Sequence, residues 1–534
     1  MPVPPQTFGG TWVVAAGCWP IRPPDAPPGS STRRPVIAIG ATFDAIDGGN
    51  PTAPPMSLAW ADVLRSTGGD LQRLLELDDW PPLLSVHLDA DLADELRRSL
   101  DEGETLAEAV RRIARERNVR LIRWPSIDVC YDPRLRVAQA ITSLQRGGAE
   151  RVVVDLAATL RAAGVATTVI VTGRPTRAAF DPPAGTVDVS RAADRATALA
   201  GAAADAHVDL VHAHLLGGDA LTAIRAAGLP LVVTVHNTRP GWPAGLAALP
   251  AGAVDLLAAC SQQVERDLLD AGVPAAVRTV WNGIDFAAYK PGDAADARAA
   301  ELRRACGAAA NDVVLLSLAN PRPQKRLERL PAVLAAVRRK LVERGVSRDA
   351  RLVVAGDTGD AATSGPAAVA AASTDLLRAE VDRLGLGNSV HLIGPADDVP
   401  ALLRSADVLV SVSAWEGLSL AHLEALAAGR PVVATDVGGA AEVASANPAV
   451  TLLPPDADAD AAAEAVLRAV LEPPAGGREA ARSHFRREVM AERYARLYTR
   501  AIESCAAHGP LSRYAGSGRK PSGVWLVANN FSTG

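Results

Sequence analysis

Two successive series of short Val/Leu/Ile runs, each run followed by a helical pattern, predict an α/β protein with two Rossmann-like domains facing a cleft. A shorter and less regular alternation ahead of them predicts a small α/β N-terminal region. Continuous apolar runs mark strands buried on both faces, as in parallel sheets covered by helices. Length agrees, since 534 residues exceed what one hydrophobic core serves.

In chain order, the Pro-rich stretch Pro20 to Ser31 reads as an exposed loop. Strand runs at Val36 to Ala41, Leu83 to Leu88 and Val119 to Trp124 then alternate with helical patterns around Leu58 to Leu77 and Ala93 to Glu116. The first regular series has strands at Val137 to Ile141, Thr167 to Val171, Val208 to His212, Leu231 to Val235 and Leu256 to Ala259. A polar, Ala-rich connection at Gly292 to Arg304 leads to the second, at Val313 to Leu318, Leu352 to Ala355, Val390 to Ile393, Val408 to Val412 and Pro431 to Thr435. A closing helical pattern, Glu479 to Cys505, spaces Phe485, Met490, Tyr494, Leu497 and Tyr498 as packing residues. The expected divisions are 1–133 (accessory region), 134–290 (first Rossmann-like domain), 291–508 (second Rossmann-like domain with its closing helix) and 509–534. In the last of these, a polar linker precedes Val524 to Gly534, whose apolar run, turn and glycine repeat the pattern of Val137 to Gly147. It reads as the start of a further module, as an added edge strand or as a disordered tail.

Composition narrows the function classes. A net charge of −5 lacks the cationic excess of a polyanion binder, so nucleic acid is not an expected partner. Five scattered cysteines with no C-x-x-C pair argue against a disulfide framework or a zinc site and fit a reducing, cytoplasmic environment. No apolar run reaches membrane-spanning length, which leaves at most peripheral membrane contact. Only four residues are lysines (Lys290, Lys325, Lys340 and Lys520), which makes the position of Lys325 informative.

The strongest chemical signal runs from Trp415 through Glu416-Gly417-Leu418-Ser419-Leu420 to Glu424, and on to Gly429-Arg430-Pro431. Strand Val408 to Val412 delivers Glu416 to a sheet edge, Ser419 suits an N-cap, and Gly429 with Pro431 ends the helix. The helix N-terminus, with its unpaired N–H groups and positive dipole end, can hold a diphosphate without a metal. Two carboxylates placed before and within such a helix can accept hydrogen bonds from sugar and ribose hydroxyls.

This E-x7-E pattern, Glu416 to Glu424, resembles that of family 4 of the retaining glycosyltransferases, with Gly438-Gly439 and Glu442 following as in that family. Val280 to Asp285 is similar to its N-G-I-D turn, Leu352 to Asp357 to its second-domain strand ending in Gly-Asp, and Val390 to Gly394 to the strand beside the base. The resemblance implies a metal-independent, retaining hexosyltransferase of the GT-B fold acting in glycan biosynthesis. It would use no cofactor, taking a nucleotide-diphosphate sugar as donor and a hydroxyl-bearing acceptor. Glu416 would meet the donor sugar, Glu424 the ribose, and Gly417, Leu418, Ser419 and Leu420 the donor's diphosphate. Retention would follow front-face attack, the departing diphosphate helping to deprotonate the acceptor. Nucleotide-sugar epimerases, phosphorylases and catalytically silent sugar-nucleotide binders share the architecture and are the alternatives.

Three further stretches match the family. Ser317 to Arg326 resembles its G-R-x-x-P-Q-K loop, making Lys325 the cation for the diphosphate; Asn320 replaces the usual arginine, and Arg322 offers a second charge. Arg146-Gly147-Gly148-Ala149-Glu150 resembles its G-G-A-E loop, where Gly147 and Gly148, assigned to donor binding, let backbone approach the donor phosphate or the acceptor. His212-Ala213-His214 resembles its H-x-H pattern, which implies that His214 approaches the donor sugar with His212 and His236 as supports. Asp89-Ala90-Asp91 is read as a chance match to a metal-binding D-x-D, and no metal ligands are assigned.

Overall fold

The computed structural model describes residues 135–175, 179–359 and 365–508, together with four short strands outside that span. The chain divides into two compact units, one of them Pro133–Ser522 and the other the two flanking segments. In the flanking unit, β1 (Val36–Ile39) pairs in parallel with β2 (Arg120–Arg123), and β3 (Ile127–Cys130) pairs antiparallel with the C-terminal strand Trp525–Ala528. The Leu83 strand, both helical patterns and Asp89-Ala90-Asp91 of the sequence reading lie outside the described residues.

Within Pro133–Ser522 the two regular series form two parallel sheets. The first contains β4 (Arg136–Ile141), β5 (Ala166–Val171), β6 (Val187–Asp188), β7 (Leu210–His214), β8 (Leu231–Val235), β9 (Leu256–Ala259) and β10 (Ala276–Thr279), in the order β10-β9-β8-β7-β4-β5-β6. The second contains β11 (Val313–Leu318), β12 (Ala350–Ala355), β13 (Val390–Gly394), β14 (Val408–Ser411), β15 (Val432–Thr435) and β16 (Val450–Leu453), in the order β13-β12-β11-β14-β15-β16. In each sheet the chain first builds outward on one side of its opening strand and then crosses to the other. The switch points, where crevices open at the carboxyl ends of strands, therefore fall between β4 and β7 and between β11 and β14.

Three expectations change. The strand read at Val208 to His212 is Leu210–His214, so both histidines of the H-x-H pattern lie within the sheet. The connection read at Gly292 to Arg304 is the helix Asp293–Ala305. The closing pattern is two helices, Gly477–His484 and Arg487–His508, and Phe485, Met490, Tyr494, Leu497 and Tyr498 are all buried. The second of these helices packs on the first domain, against β7 and β8 and the helix Gly148–Ala162.

Candidate functional site

At the second sheet's switch point, the loops after β11 and β14 are laced together. The Gln324 carbonyl accepts from the Ala414 amide at 2.8 Å, and the Gln324 side chain donates to the Trp415 carbonyl at 2.8 Å. Arg326, in the left-handed region at φ 47°, donates to the carbonyls of Val412 and Ser413. This lacing places Lys325 Nζ 2.6 Å from Glu416 Oε1, which also accepts from the Ser413 hydroxyl at 2.6 Å. Burial alone would raise the Glu416 carboxyl, but the ammonium and hydroxyl outweigh it and hold the group below its ordinary value. Glu416 is thus a buried carboxylate with a cation in contact.

The helix after it, Leu420–Ala427, starts at Ser419, whose side chain makes no capping bond. Its first N–H groups are therefore not capped by that side chain. His422 on this helix is buried and kept neutral, its value pressed down by burial to about 4, and its Nε2 has no hydrogen-bond partner among the described residues. Sequence reasoning did not single it out.

Glu424, one turn on, faces the first domain. Its Oε1 accepts from the Tyr289 hydroxyl at 2.9 Å, and Arg151 on the helix Gly148–Ala162 is near enough to act on its charge. Burial pushes this carboxyl up to about 7, the opposite of Glu416. Tyr289 was not foreseen, and Arg151 had only its place directly after the G-G-A-E loop as a signal.

The first sheet supplies the facing wall. Gly147 is the N-cap of the helix Gly148–Ala162, and a Cβ built on Gly148 would lie 3.9 Å from Leu420 Cδ1. The Gly-Gly loop therefore stands against the start of the helix Leu420–Ala427. Burial holds the Glu150 carboxyl above its ordinary value, and the charge of the exposed Arg322 offsets only part of that rise. Asn320 donates to the Arg146 carbonyl at 2.9 Å and accepts from the Asp357 amide at 2.9 Å, so this residue joins the two domains by neutral hydrogen bonds. Two glycines make the close fit possible. A Cβ on Gly417 would collide with the His236 carbonyl, and Gly438, at φ 58°, packs against the Glu416 carbonyl. Glu442 adds a clamp, accepting from the Gln262 and Gln263 amides at 2.9 and 3.1 Å and from Trp281 Nε1 at 2.7 Å.

The three histidines are joined by hydrogen bonds in and beside the first sheet. His212 and His214 are fully buried, and both ring nitrogens of each are within hydrogen-bond distance of a partner. His236, just past β8 and half-buried, has its backbone carbonyl against Gly417, and its ring Nε2 lies 2.9 Å from His214 Nδ1. Among the described residues no group of three or more His, Cys, Asp or Glu side chains could hold a metal, and no helix is long and apolar enough to cross a membrane.

Two parallel-sheet domains whose switch-point loops meet in this way define the GT-B class. The Glycosyltransferase Family 4 model matches residues 146–288, and that of Glycosyl transferases group 1 matches residues 299–487. Curated relatives include a D-inositol 3-phosphate glycosyltransferase of Salinispora arenicola, 32% identical over 254 residues, covering 44% of this chain and 54% of that protein. Another, from Saccharomonospora viridis, is 32% identical over 288 residues, covering 50% of this chain and 63% of that one. The chain thus spans roughly half to two thirds of the length of such relatives. Among solved structures, Anabaena HepE in complex with UDP-glucose superposes with a TM-score of 0.54 at 20% identity, covering 70% of this chain and 100% of that one. A sucrose-phosphate synthase from Thermosynechococcus elongatus gives a TM-score of 0.53 at 20% identity over the same shares. These two share the fold. The chain belongs to the family 4 glycosyltransferases.

Proposed function

We propose that the chain transfers a hexose from a nucleotide-diphosphate sugar to an acceptor hydroxyl, with retention of anomeric configuration and without a metal ion or other cofactor. The observation that carries this reading is the Lys325–Glu416 pair at the start of the helix Leu420–Ala427, set against the Gly147-Gly148 loop of the other domain. Lys325, Arg322 and the helix N-terminus would stabilise charge developing on the departing diphosphate. Glu416, ionised and rigidly held, suits a hydrogen-bond acceptor for donor-sugar hydroxyls. Glu424 suits the ribose. No side-chain nucleophile is needed if the leaving diphosphate takes the acceptor's proton, so the protein's part is to orient both substrates.

HepE binding UDP-glucose supports a uridine nucleotide sugar as the first donor to try. For the acceptor, a cavity of about 420 Å³ opens at the carboxyl ends of β4, β5 and β7, lined by Thr142, Thr172, Arg195, Gly217 and Gly218 among others. That volume and lining suit a small polar molecule, and D-inositol 3-phosphate, named for the relatives, is the first candidate. The test is a melting-temperature screen with UDP-, GDP- and ADP-sugars, followed by product analysis with the donor that binds. A transferred, α-configured sugar is the expected product. Binding without transfer or hydrolysis, or a rearranged nucleotide sugar, would refute the assignment.

A further inference from the structure

A hydrogen-bonded relay crosses from the first sheet to the C-terminal helix. Gln139 on β4 places its Oε1 2.9 Å from His214 Nε2 and its Nε2 3.0 Å from the Tyr498 hydroxyl. His214 Nδ1 lies 2.9 Å from His236 Nε2. Tyr498 also contacts His212 Nδ1 at 2.8 Å, and His212 Nε2 meets Thr234 Oγ1 at 2.6 Å, with the Tyr494 hydroxyl 2.9 Å beyond.

The hydrogens in this relay can be counted. A carbonyl oxygen has none to give, so the His214 Nε2 that faces Gln139 Oε1 must carry one. Burial keeps His214 neutral, which leaves its Nδ1 bare and able only to accept. His236 Nε2 must then be the donor between the two rings. Burial also holds His236 neutral, its value pressed down to about 4, so its Nδ1 is bare as well. Of the six ring nitrogens in these three histidines, His236 Nδ1 is the one with no protein partner among the described residues.

The direction of every step follows from which way the Gln139 amide sits. With the amide turned over, its NH₂ would donate to His214 Nε2, His214 would donate through Nδ1, and His236 Nδ1 would carry a hydrogen. We infer that Gln139 and Tyr498 are positioning residues that set the tautomer of His236, so that its Nδ1 offers a lone pair to a ligand hydroxyl. What that lone pair meets rests on the donor cleft proposed above; the tautomer itself does not.

The experiment is nitrogen NMR of the full chain labelled with ¹⁵N-histidine, with His236 assigned by substitution, on wild type, Tyr498→Phe and Tyr494→Phe. Wild type should show His236 protonated at Nε2 and bare at Nδ1. Tyr498→Phe leaves the Gln139 amide without its acceptor and should move or average the His236 signals, with kcat falling about tenfold and KM little changed, as for loss of a group that orients a functional histidine. Tyr494→Phe removes a neighbouring hydroxyl from the same buried helix face and should leave His236 as it is. Unchanged His236 signals in Tyr498→Phe, or equal changes in Tyr494→Phe, would overturn the inference. If Tyr498→Phe does not fold, Gln139→Glu decides, because a carboxylate can only accept and should preserve the wild-type tautomer; a protonated Nδ1 in that variant overturns the inference too. A shifted tautomer with undiminished turnover would leave the relay standing and remove His236 from the proposed transfer.

Discussion

Glu424 gives the most quantitative expectation. Burial holds its carboxyl at about 7 without a ligand, and the ionised form is much the stronger acceptor for ribose hydroxyls. UDP-glucose binding should therefore strengthen as pH rises through 7. If only the ionised form binds, the competent fraction is about one in eleven at pH 6 and about ten in eleven at pH 8, so the dissociation constant should tighten about tenfold, roughly 1.4 kcal/mol.

The stability of the free protein carries the opposite sign. A carboxyl raised in the folded state contributes stability that is full below its ordinary 4.5 and lost as pH rises from there through about 7. The donor-induced rise in melting temperature should thus grow over the range where the unliganded protein weakens. Calorimetric titration with UDP-glucose at pH 6, 7 and 8 measures the first effect, and the diphosphate diester has no titrating proton in that range to confuse it. Glu424→Gln should bind weakly with no such slope. A flat wild-type profile, or the same slope in Glu424→Gln, would show that the ribose contact or the titrating group has been misassigned.

Three other outcomes are expected. Glu416→Gln should lower kcat by about 10²-fold while donor affinity stays near wild type, as for an interaction strengthened in the transition state; single-turnover rates beside equilibrium titration separate the two, and unchanged turnover would remove Glu416 from the chemistry. Lys325→Met strands a buried carboxylate, a loss of about 3–5 kcal/mol in denaturant unfolding, and adding Glu416→Gln should recover much of it; equal losses in the single and double variants would mean that the 2.6 Å pair is not coupled. Turnover should survive EDTA, and loss restored by magnesium or manganese would return attention to Asp89-Ala90-Asp91.

What could be read in the sequence was what repeats locally. Strands with long Val/Leu/Ile runs were placed within two residues, and β8, β9 and β11 at their observed limits. The two-residue β6 and the four-residue β10 and β16 carry too little pattern to stand out. The helix Asp293–Ala305 was read as a connection because its face is mostly alanine and charge, with Ala299 its buried apolar residue. Motif residues were legible because each loop needs particular chemistry at a strand end, and the switch points then bring the loops after β4, β11 and β14 to one place. The partners of those residues are set by topology alone. Nothing near Glu424 in sequence announces Tyr289, and nothing near Asn320 announces the Arg146 carbonyl, 174 positions away. Tyr498 marks the limit most clearly. At helical spacing with Met490 and Tyr494 it reads as packing, and it is fully buried. Only the return of its helix to the first sheet reveals that the hydroxyl meets Gln139, 359 positions earlier, and through it the histidines.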